Sequence, residues 1–310
     1  MKQVFFFLPL LFLSFALTAQ AGKLTDADRN RIAEAEKELL RLSYAMHTDS
    51  SDEARFTACK ALIKGLVSAL KTPNSYHYDF SKLKGVSVVD SPEDDYRFFT
   101  WELHVSRDVY RHYGAIQYNS SDLKLLPLID RGAQLRQNPE TALTTNEDWL
   151  GYVVYKIIPG GIFEGRTYHF LFGYDRYGAT SRQKFLDAFY FDREGKPHFG
   201  LPVFVTHTPE GHPLEDRTRL LLEYSAEANV AMRHNPETGR IIYENLILTQ
   251  GPNGEPLSVP DGSYHALELG KDGRWHENSK VFSHTYEKAP VPRVKEKERK
   301  DVIGRPKPGG

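Results

Sequence analysis

The hydrophobic periodicity of the chain changes near residue 76 from a helical repeat to an alternation with period two. Before this point, apolar residues recur every three or four positions, as on one face of an amphipathic helix. After it, short alternating segments follow one another, separated by turn-forming Gly, Pro, Asn and Asp. The pattern predicts a mainly β fold, an antiparallel multi-stranded body preceded by helices.

The helical part, residues 22–75, contains two apolar stripes joined by the polar segment HTDSSD at 47–52. Thr25 is a candidate N-cap, and Pro73 ends the second helix. We therefore predict an antiparallel helical hairpin that packs on the following domain. Dimerisation as a coiled coil is the alternative, although it needs more heptads than the stripes contain. The stripes consist of Ile32, Ala35, Leu39, Leu42 and Met46, and of Phe56, Cys59, Ile63, Leu66 and Leu70.

The predicted antiparallel β domain spans residues 76–288. Turn sequences such as DREGK (192–196) and NPETG (235–239) separate its strands. This succession favours a sandwich or meander. A propeller-like arrangement is the alternative, but no internal repeat of blade length is present. The candidate strands are 85–90, 96–105, 109–118, 123–129, 150–158, 166–175, 184–192, 198–205, 218–226, 229–234, 240–249, 263–269 and 274–282.

The segment TYHFLFGYD at 167–175 has an aromatic residue at every second position. Side chains two apart in a strand share a face, so these rings form one row. The opposite face is mostly polar and is expected to be solvated, which places the row in a core. A stacking platform for a sugar is the alternative. The row consists of Tyr168, Phe170, Phe172 and Tyr174.

Both chain ends differ in composition from a folded domain. Residues 1–21 combine Lys2, an apolar run at 4–13 and an A-x-A motif ending at Ala21, which predicts a cleaved secretory signal peptide. The mature protein is then exported to the periplasm or the extracellular space. No later segment is apolar enough to span a bilayer, so no membrane insertion after cleavage is expected. Residues 289–310, rich in proline, glycine and alternating charge, predict a disordered tail.

Composition narrows the function classes. The chain has 40 Lys plus Arg against 41 Asp plus Glu, so it lacks the basic excess of a nucleic-acid binder. Cys59 is the only cysteine, which excludes an intramolecular disulfide, and its apolar stripe predicts a buried thiol. The chain has no P-loop, no dinucleotide-binding glycine motif, no G-x-S-x-G and no H-E-x-x-H, and no cofactor is predicted.

The segment WELHVSRDVYRHY (101–113) concentrates groups suited to acid–base chemistry. Glu102, His104, Asp108 and His112 could supply an acid and a base at the end of a hairpin. The competing interpretation is an exposed polar strand edge. These four residues are the catalytic candidates.

The segment HTPEGH offers His207, Glu210 and His212 as candidate metal ligands in one loop. Ligands this close in sequence usually need another from elsewhere in the fold. Two nearby prolines make a simple turn an equally good interpretation. No metal site is therefore predicted, and these three residues stay candidates.

Several segments, in this order along the chain, resemble an uncharacterised family of secreted proteins from Gram-negative bacteria: SPEDDYRFFTWE (91–102), YKIIP (155–159), LFGYD (171–175), FDREGKPHFGLPVF (191–204) and LLLEYSAEANVAMRHN (220–235). The similarity covers most of residues 85–285. It implies export and a β-rich body but no activity. The chain departs from the family near Tyr174, where a tryptophan is expected, and at Glu244 and Asn245, where an Asp-His pair is expected. If this Asp-His pair carries catalysis in the family, this chain lacks that activity.

Two functional hypotheses follow. The first is a non-catalytic, exported binding or accessory protein of the cell envelope, whose partner is a glycan, a peptide or an envelope protein. The second is a secreted hydrolase that uses His and carboxylate groups from the 102–112 or 207–212 segment. The first is preferred, because the sequence contains no recognisable pattern of nucleophile and base. A deep pocket that collects His and carboxylate groups would favour the hydrolase.

Overall fold

Antiparallel β-sheets make up most of the folded chain. The computed structural model describes residues 22–208, 211–251 and 254–279, so the predicted signal peptide and tail lie outside the described residues. The strands form three sheets. Sheet 1 contains β1 (Ser87–Asp90), β2 (Tyr96–Ser106), β3 (Val109–Tyr118) and β4 (Leu125–Ile129). Sheet 2 contains β5 (Thr144–Thr145), β6 (Val153–Phe163), β7 (Arg166–Asp175), β8 (Ser181–Phe191), β9 (Pro197–Phe199) and β12 (Arg219–Ser225). Sheet 3 contains β10 (Phe204–His207), β11 (Pro213–Arg217), β13 (Met232–Asn235), β14 (Arg240–Gln250), β15 (Pro256–Leu269) and β16 (Trp275–Ser279).

The two predicted helices form an antiparallel pair ahead of the sheets. Helix α1 spans Asp26–Thr48 and α2 spans Asp52–Leu70; a short helix, α3 (Gly132–Leu135), follows β4. The hydroxyl of Thr25 accepts a hydrogen bond from the backbone N–H of Asp28, as the N-cap prediction requires. The apolar faces of both helices pack on sheet 1, as the prediction that the helical hairpin packs on the following strands requires.

The sheets stack in successive layers because their strands are apolar on both faces. On β2, Phe99, Trp101 and Leu103 face the helices, whereas Tyr96 and Phe98 pack against sheet 2. Sheet 2 in turn packs its other face on sheet 3. This layering corresponds to the predicted sandwich.

The aromatic row of β7 lies in the core between sheets 2 and 3. Tyr168, Phe170 and Phe172 are each fully buried, and Phe170 packs against Trp275 and Phe204, which confirms the core prediction for these three. Tyr174, the fourth ring, is only partly buried.

The prediction that the opposite face of β7 is solvated was wrong beyond Thr167. His169, Leu171, Gly173 and Asp175 are buried, because sheet 1 covers this face. Polar residues occur there because they have partners on sheet 1: His169 Nδ1 lies 3.0 Å from the hydroxyl of Tyr96.

The PGG segment at 159–161 continues β6 through a β-bulge instead of ending it. Gly160 is required there, because a Cβ at this position would lie 2.3 Å from the ring of Tyr168. Across the described residues, no helix is both long and apolar enough to cross a membrane.

Candidate functional site

A cavity of about 1000 Å³ forms a cleft between β12 of sheet 2 and strands β14, β15 and β16 of sheet 3. Its walls combine leucines of β12 with imidazole, hydroxyl and amide groups of sheet 3. Clefts of this size with a few convergent polar groups are the usual location of ligand sites. The residues used below are His207, Arg217, Tyr243, Glu244, Asn245, His265 and Glu277, all of which line the cleft.

The carboxylate of Glu277, on β16, is the polar centre of the cleft. Its Oε1 accepts a hydrogen bond from the hydroxyl of Tyr243 and lies 3.4 Å from His265 Nδ1. Its Oε2 accepts the backbone N–H of His207 at 2.9 Å and lies 3.3 Å from Nδ1 of the same residue. Burial, and then the charge of Glu277, raises the pKa of Tyr243 well above its ordinary value, so this phenol is a fixed donor at neutral pH.

The two histidines of the cleft differ in whether a ring nitrogen is available to a ligand. The ring of His265 stacks on Tyr243, and its Nε2 lies 2.9 Å from Asn245 Oδ1, so both of its nitrogens face protein groups. The side chain of His207 is 40% exposed and faces Glu277 through Nδ1. Nε2 of His207 is therefore the imidazole nitrogen that a ligand can contact.

The charged side chains that line the cleft have partners within the protein. Arg217 pairs with Glu140 outside the cleft, and the carboxylate of Glu244 accepts the backbone N–H of Ala231. Arg217 is therefore not available to an anionic ligand, and the hydroxyl, amide and imidazole groups of the cleft lie beside apolar surface.

A second polar cluster lies between sheets 1 and 2 and contains two of the four predicted catalytic candidates, Glu102 and His112. Glu102 and His112 are direct cross-strand partners on β2 and β3, and Asp175 at the end of β7 faces them. His112 and Asp175 are almost fully buried, so the predicted exposed edge is not what forms here. His104 lies nearer the hairpin turn and stacks on Tyr110, and Asp108 is exposed in the turn.

Asp130 supports this buried cluster from the end of sheet 1. Its Oδ2 accepts the backbone N–H of His112 at 2.8 Å and lies 3.7 Å from His112 Nδ1. Burial alone lowers the pKa of His112, but the attraction of Asp130, Asp175 and Glu102 outweighs it and raises the pKa above its ordinary value.

The structure describes two of the three candidate metal ligands of the 207–212 segment, His207 and His212. His207 belongs to the cleft, and His212 is exposed. Backbone hydrogen bonds between Thr208 and both Gly211 and His212 close a turn, which fits the simple-turn interpretation. Glu210 lies outside the described residues.

Sequence reasoning missed Tyr243, His265 and Glu277. Tyr243 and His265 are cross-strand partners of β14 and β15, and Glu277 follows on β16. The polar residues His265 and Glu277 interrupt otherwise strand-like segments, which is a signal, but only the strand register reveals that they converge.

Comparison of the chain with protein-family models, with curated proteins and with solved structures gave no match. Glu244 and Asn245 both line the cleft.

Proposed function

We propose that the protein is an exported, non-catalytic binding protein of the cell envelope, and that the cleft between sheets 2 and 3 binds an uncharged glycan. The observation that carries this proposal is that the one cationic side chain among the described residues lining the cleft, Arg217, is already paired with Glu140. A site for phosphate, sulfate or an acidic peptide needs an unpaired cation, and the carboxylates of Glu244 and Glu277 repel an anion.

The groups that remain suit a sugar. Imidazole, hydroxyl and amide groups exchange hydrogen bonds with sugar hydroxyls, and the apolar wall formed by Leu220, Leu221 and Leu222 can cover the C–H faces of a ring. His207 Nε2 is the polar atom expected to contact the ligand directly.

The test is a screen of the full mature protein against an array of neutral and acidic oligosaccharides, followed by calorimetry on the neutral sugars that bind. His207→Ala should weaken binding about tenfold, the equivalent of one hydrogen bond of about 1.4 kcal/mol.

A matched control is His276→Ala. His276 follows Trp275 on the same strand, is 45% exposed and faces Asp272, but does not line the cleft. This variant should bind as the wild type does. Binding of acidic glycans or peptides only, or equal effects of the two substitutions, contradicts the proposal.

Export rests on residues 1–21 and is tested separately. N-terminal sequencing of protein recovered outside the cytoplasm should begin at Gly22. A retained Met1 on folded, exported protein contradicts the proposed cleavage.

The cleft collects His207 and the carboxylate of Glu277, which is the arrangement predicted to favour the hydrolase, so the hydrolase is the second candidate. Glu277 faces His207 Nδ1, which is the arrangement of an oriented general base that could activate water at Nε2. A neutral oligosaccharide that binds should then yield products detectable by mass spectrometry, and Glu277→Gln should abolish them. Unchanged oligosaccharide after prolonged incubation supports a binding protein.

A further inference from the structure

The buried cluster between sheets 1 and 2 has the composition and the geometry of a metal-binding site. Glu102, His112 and Asp175 each offer one ligand atom, and these atoms lie within 4.8 Å of one another. His112 Nε2 and Asp175 Oδ1 are 3.3 Å apart. Two ligands that each bind a metal at about 2.1 Å stand about 3–3.5 Å apart, so this pair is already at the required spacing.

Two polar atoms of the cluster lack a hydrogen-bond partner in the part of the chain that the structure describes. They are His112 Nε2 and Glu102 Oε2. The side chain of His112 is 1% exposed, so bulk solvent does not reach this nitrogen. Its 3.3 Å contact with Asp175 Oδ1 lacks hydrogen-bond geometry, and a buried polar nitrogen without a hydrogen bond is unfavourable unless something binds it.

The neighbours of the cluster hold the ligand atoms in position. Arg176 Nε contacts Glu102 Oε1 at 3.2 Å, and Arg136 Nη2 contacts Asp175 Oδ2 at 3.2 Å. Each guanidinium thus occupies one oxygen of its carboxylate. Of the two other oxygens, Asp175 Oδ1 faces His112 and also accepts the backbone N–H of Tyr177 at 2.7 Å, and Glu102 Oε2 has no hydrogen bond within the described residues.

His112 is oriented by Asp130 on its other side. Because Nδ1 faces the Asp130 carboxylate, the ring proton is favoured there and the lone pair of Nε2 points into the cluster. A carboxylate behind a histidine is the usual support of a metal-binding imidazole. The backbone N–H groups of His112 and Gly132 fix this carboxylate at 2.8 Å each.

We propose that Glu102, His112 and Asp175 bind one divalent transition-metal ion. One imidazole with two carboxylates favours Zn²⁺, Co²⁺ or Mn²⁺ over Ca²⁺ and Mg²⁺, and the absence of a thiolate in the set disfavours Cu⁺. With the imidazole of His112 in its neutral, metal-binding form, three carboxylates (Glu102, Asp175 and Asp130) stand against two guanidinium groups, so a bound cation offsets the excess negative charge. Among these metals, Zn²⁺ should bind more tightly than Mn²⁺.

The experiment uses the full mature protein, free of any tag and treated with EDTA. Calorimetric titration with ZnCl₂ should show one tight equivalent, MnCl₂ should bind more weakly, and CoCl₂ should produce a visible absorption band. Glu102→Gln should weaken Zn²⁺ binding at least about 100-fold and remove the Co²⁺ absorption band, because a neutral amide replaces a carboxylate ligand. For comparison, loss of a group that only supports a ligand lowers metal affinity about 10–100-fold.

Glu102 is the residue of choice because it is the most exposed of the three and Gln preserves its shape. His198→Gln is the control, since His198 also faces a carboxylate, that of Asp192, at 2.8 Å, but lies outside the cluster. It should bind Zn²⁺ as the wild type does. Failure of the wild type to take up one equivalent, or equal affinities of wild type and folded Glu102→Gln, overturns the proposal.

Discussion

Phe170 illustrates how a single side chain can join two sheets. It extends from sheet 2 and packs edge to face on Trp275 of sheet 3, with ring centroids 5.2 Å apart. Its ring is fully buried, so it stabilises the fold both by removing apolar surface from water and by packing closely against Trp275.

Phe170→Ala should therefore lower the free energy of unfolding by about 3–5 kcal/mol, through lost burial and the cavity left behind. Urea denaturation measures this. Tyr44→Ala is the control, because Tyr44 is 70% exposed on α1 and should change stability by about 0.5 kcal/mol or less. Similar losses in both variants would contradict the packing described.

Cys59 is a buried thiol on α2, as its place in the apolar stripe predicted. Burial raises the pKa of this thiol, so its reactive thiolate is scarce at neutral pH as well as shielded. Alkylation by iodoacetamide at pH 8 should be at least about tenfold slower in the native protein than in urea. Equal rates would show that α2 opens readily.

The sequence pattern does not predict which polar residues are buried. Arg97 follows Tyr96 on β2 and reads as the exposed member of an alternating strand, yet it is 1% exposed. Its guanidinium donates to the backbone oxygens of Tyr78 and Ser75, and burial lowers its pKa to about 10, which still leaves it charged at neutral pH. Glu36 is likewise buried and accepts two backbone N–H groups of the loop after α2. These partners are distant in the chain, so no local pattern identifies them.

At the scale of elements, period and turn chemistry predicted most strands, including β3 and β7 with their observed bounds. The misses have local causes. β5 has only two residues, too few to show alternation, and β11 carries charged, mostly exposed side chains. β15 begins at Pro256, well before its predicted start at 263, because residues 256–260 also pair with β14 and an irregularity at 261–263 joins the two paired parts.

Gly160 tests the reinterpretation of the PGG segment as part of a strand. Because the Tyr168 ring occupies the position of a Cβ, Gly160→Ala should displace that ring and cost about 1–3 kcal/mol in the free energy of unfolding. Gly165→Ala is a less suitable control since it has positive φ; Gly178→Ala has open space, no such φ, and should be close to neutral. Thermal melts compare the two variants, and equal melting temperatures would contradict the close packing at Gly160.

At the scale of the whole molecule, the stacking follows from strands whose two faces are both apolar. The alternation in β2 and β7 could predict a core on each side, but the sequence does not reveal which sheet covers which face. The two polar sites lie between layers, and their residues come from strands far apart in the chain: Glu102 with Asp175, and Tyr243 with Glu277. Their positions therefore depend on the stacking, which only the structure supplies.

Sheet 3 also sets the order in which this protein can acquire its structure. β16 pairs antiparallel with β15 and parallel with β10. It therefore joins two parts of sheet 3, and its partner residues Phe204 and Trp275 are about seventy positions apart in the chain. A chain delivered N-terminus first can assemble the hairpin and sheet 1 early, but it cannot complete sheet 3 or the cleft until β16 arrives. Ribosome-stalled chains that expose residues only up to 270 should remain protease-sensitive over 204–217, because only β16 joins β10 and β11 to the rest of sheet 3, and chains that expose residue 279 should gain protection there. Equal protection at both lengths would show that sheet 3 forms without its last strand.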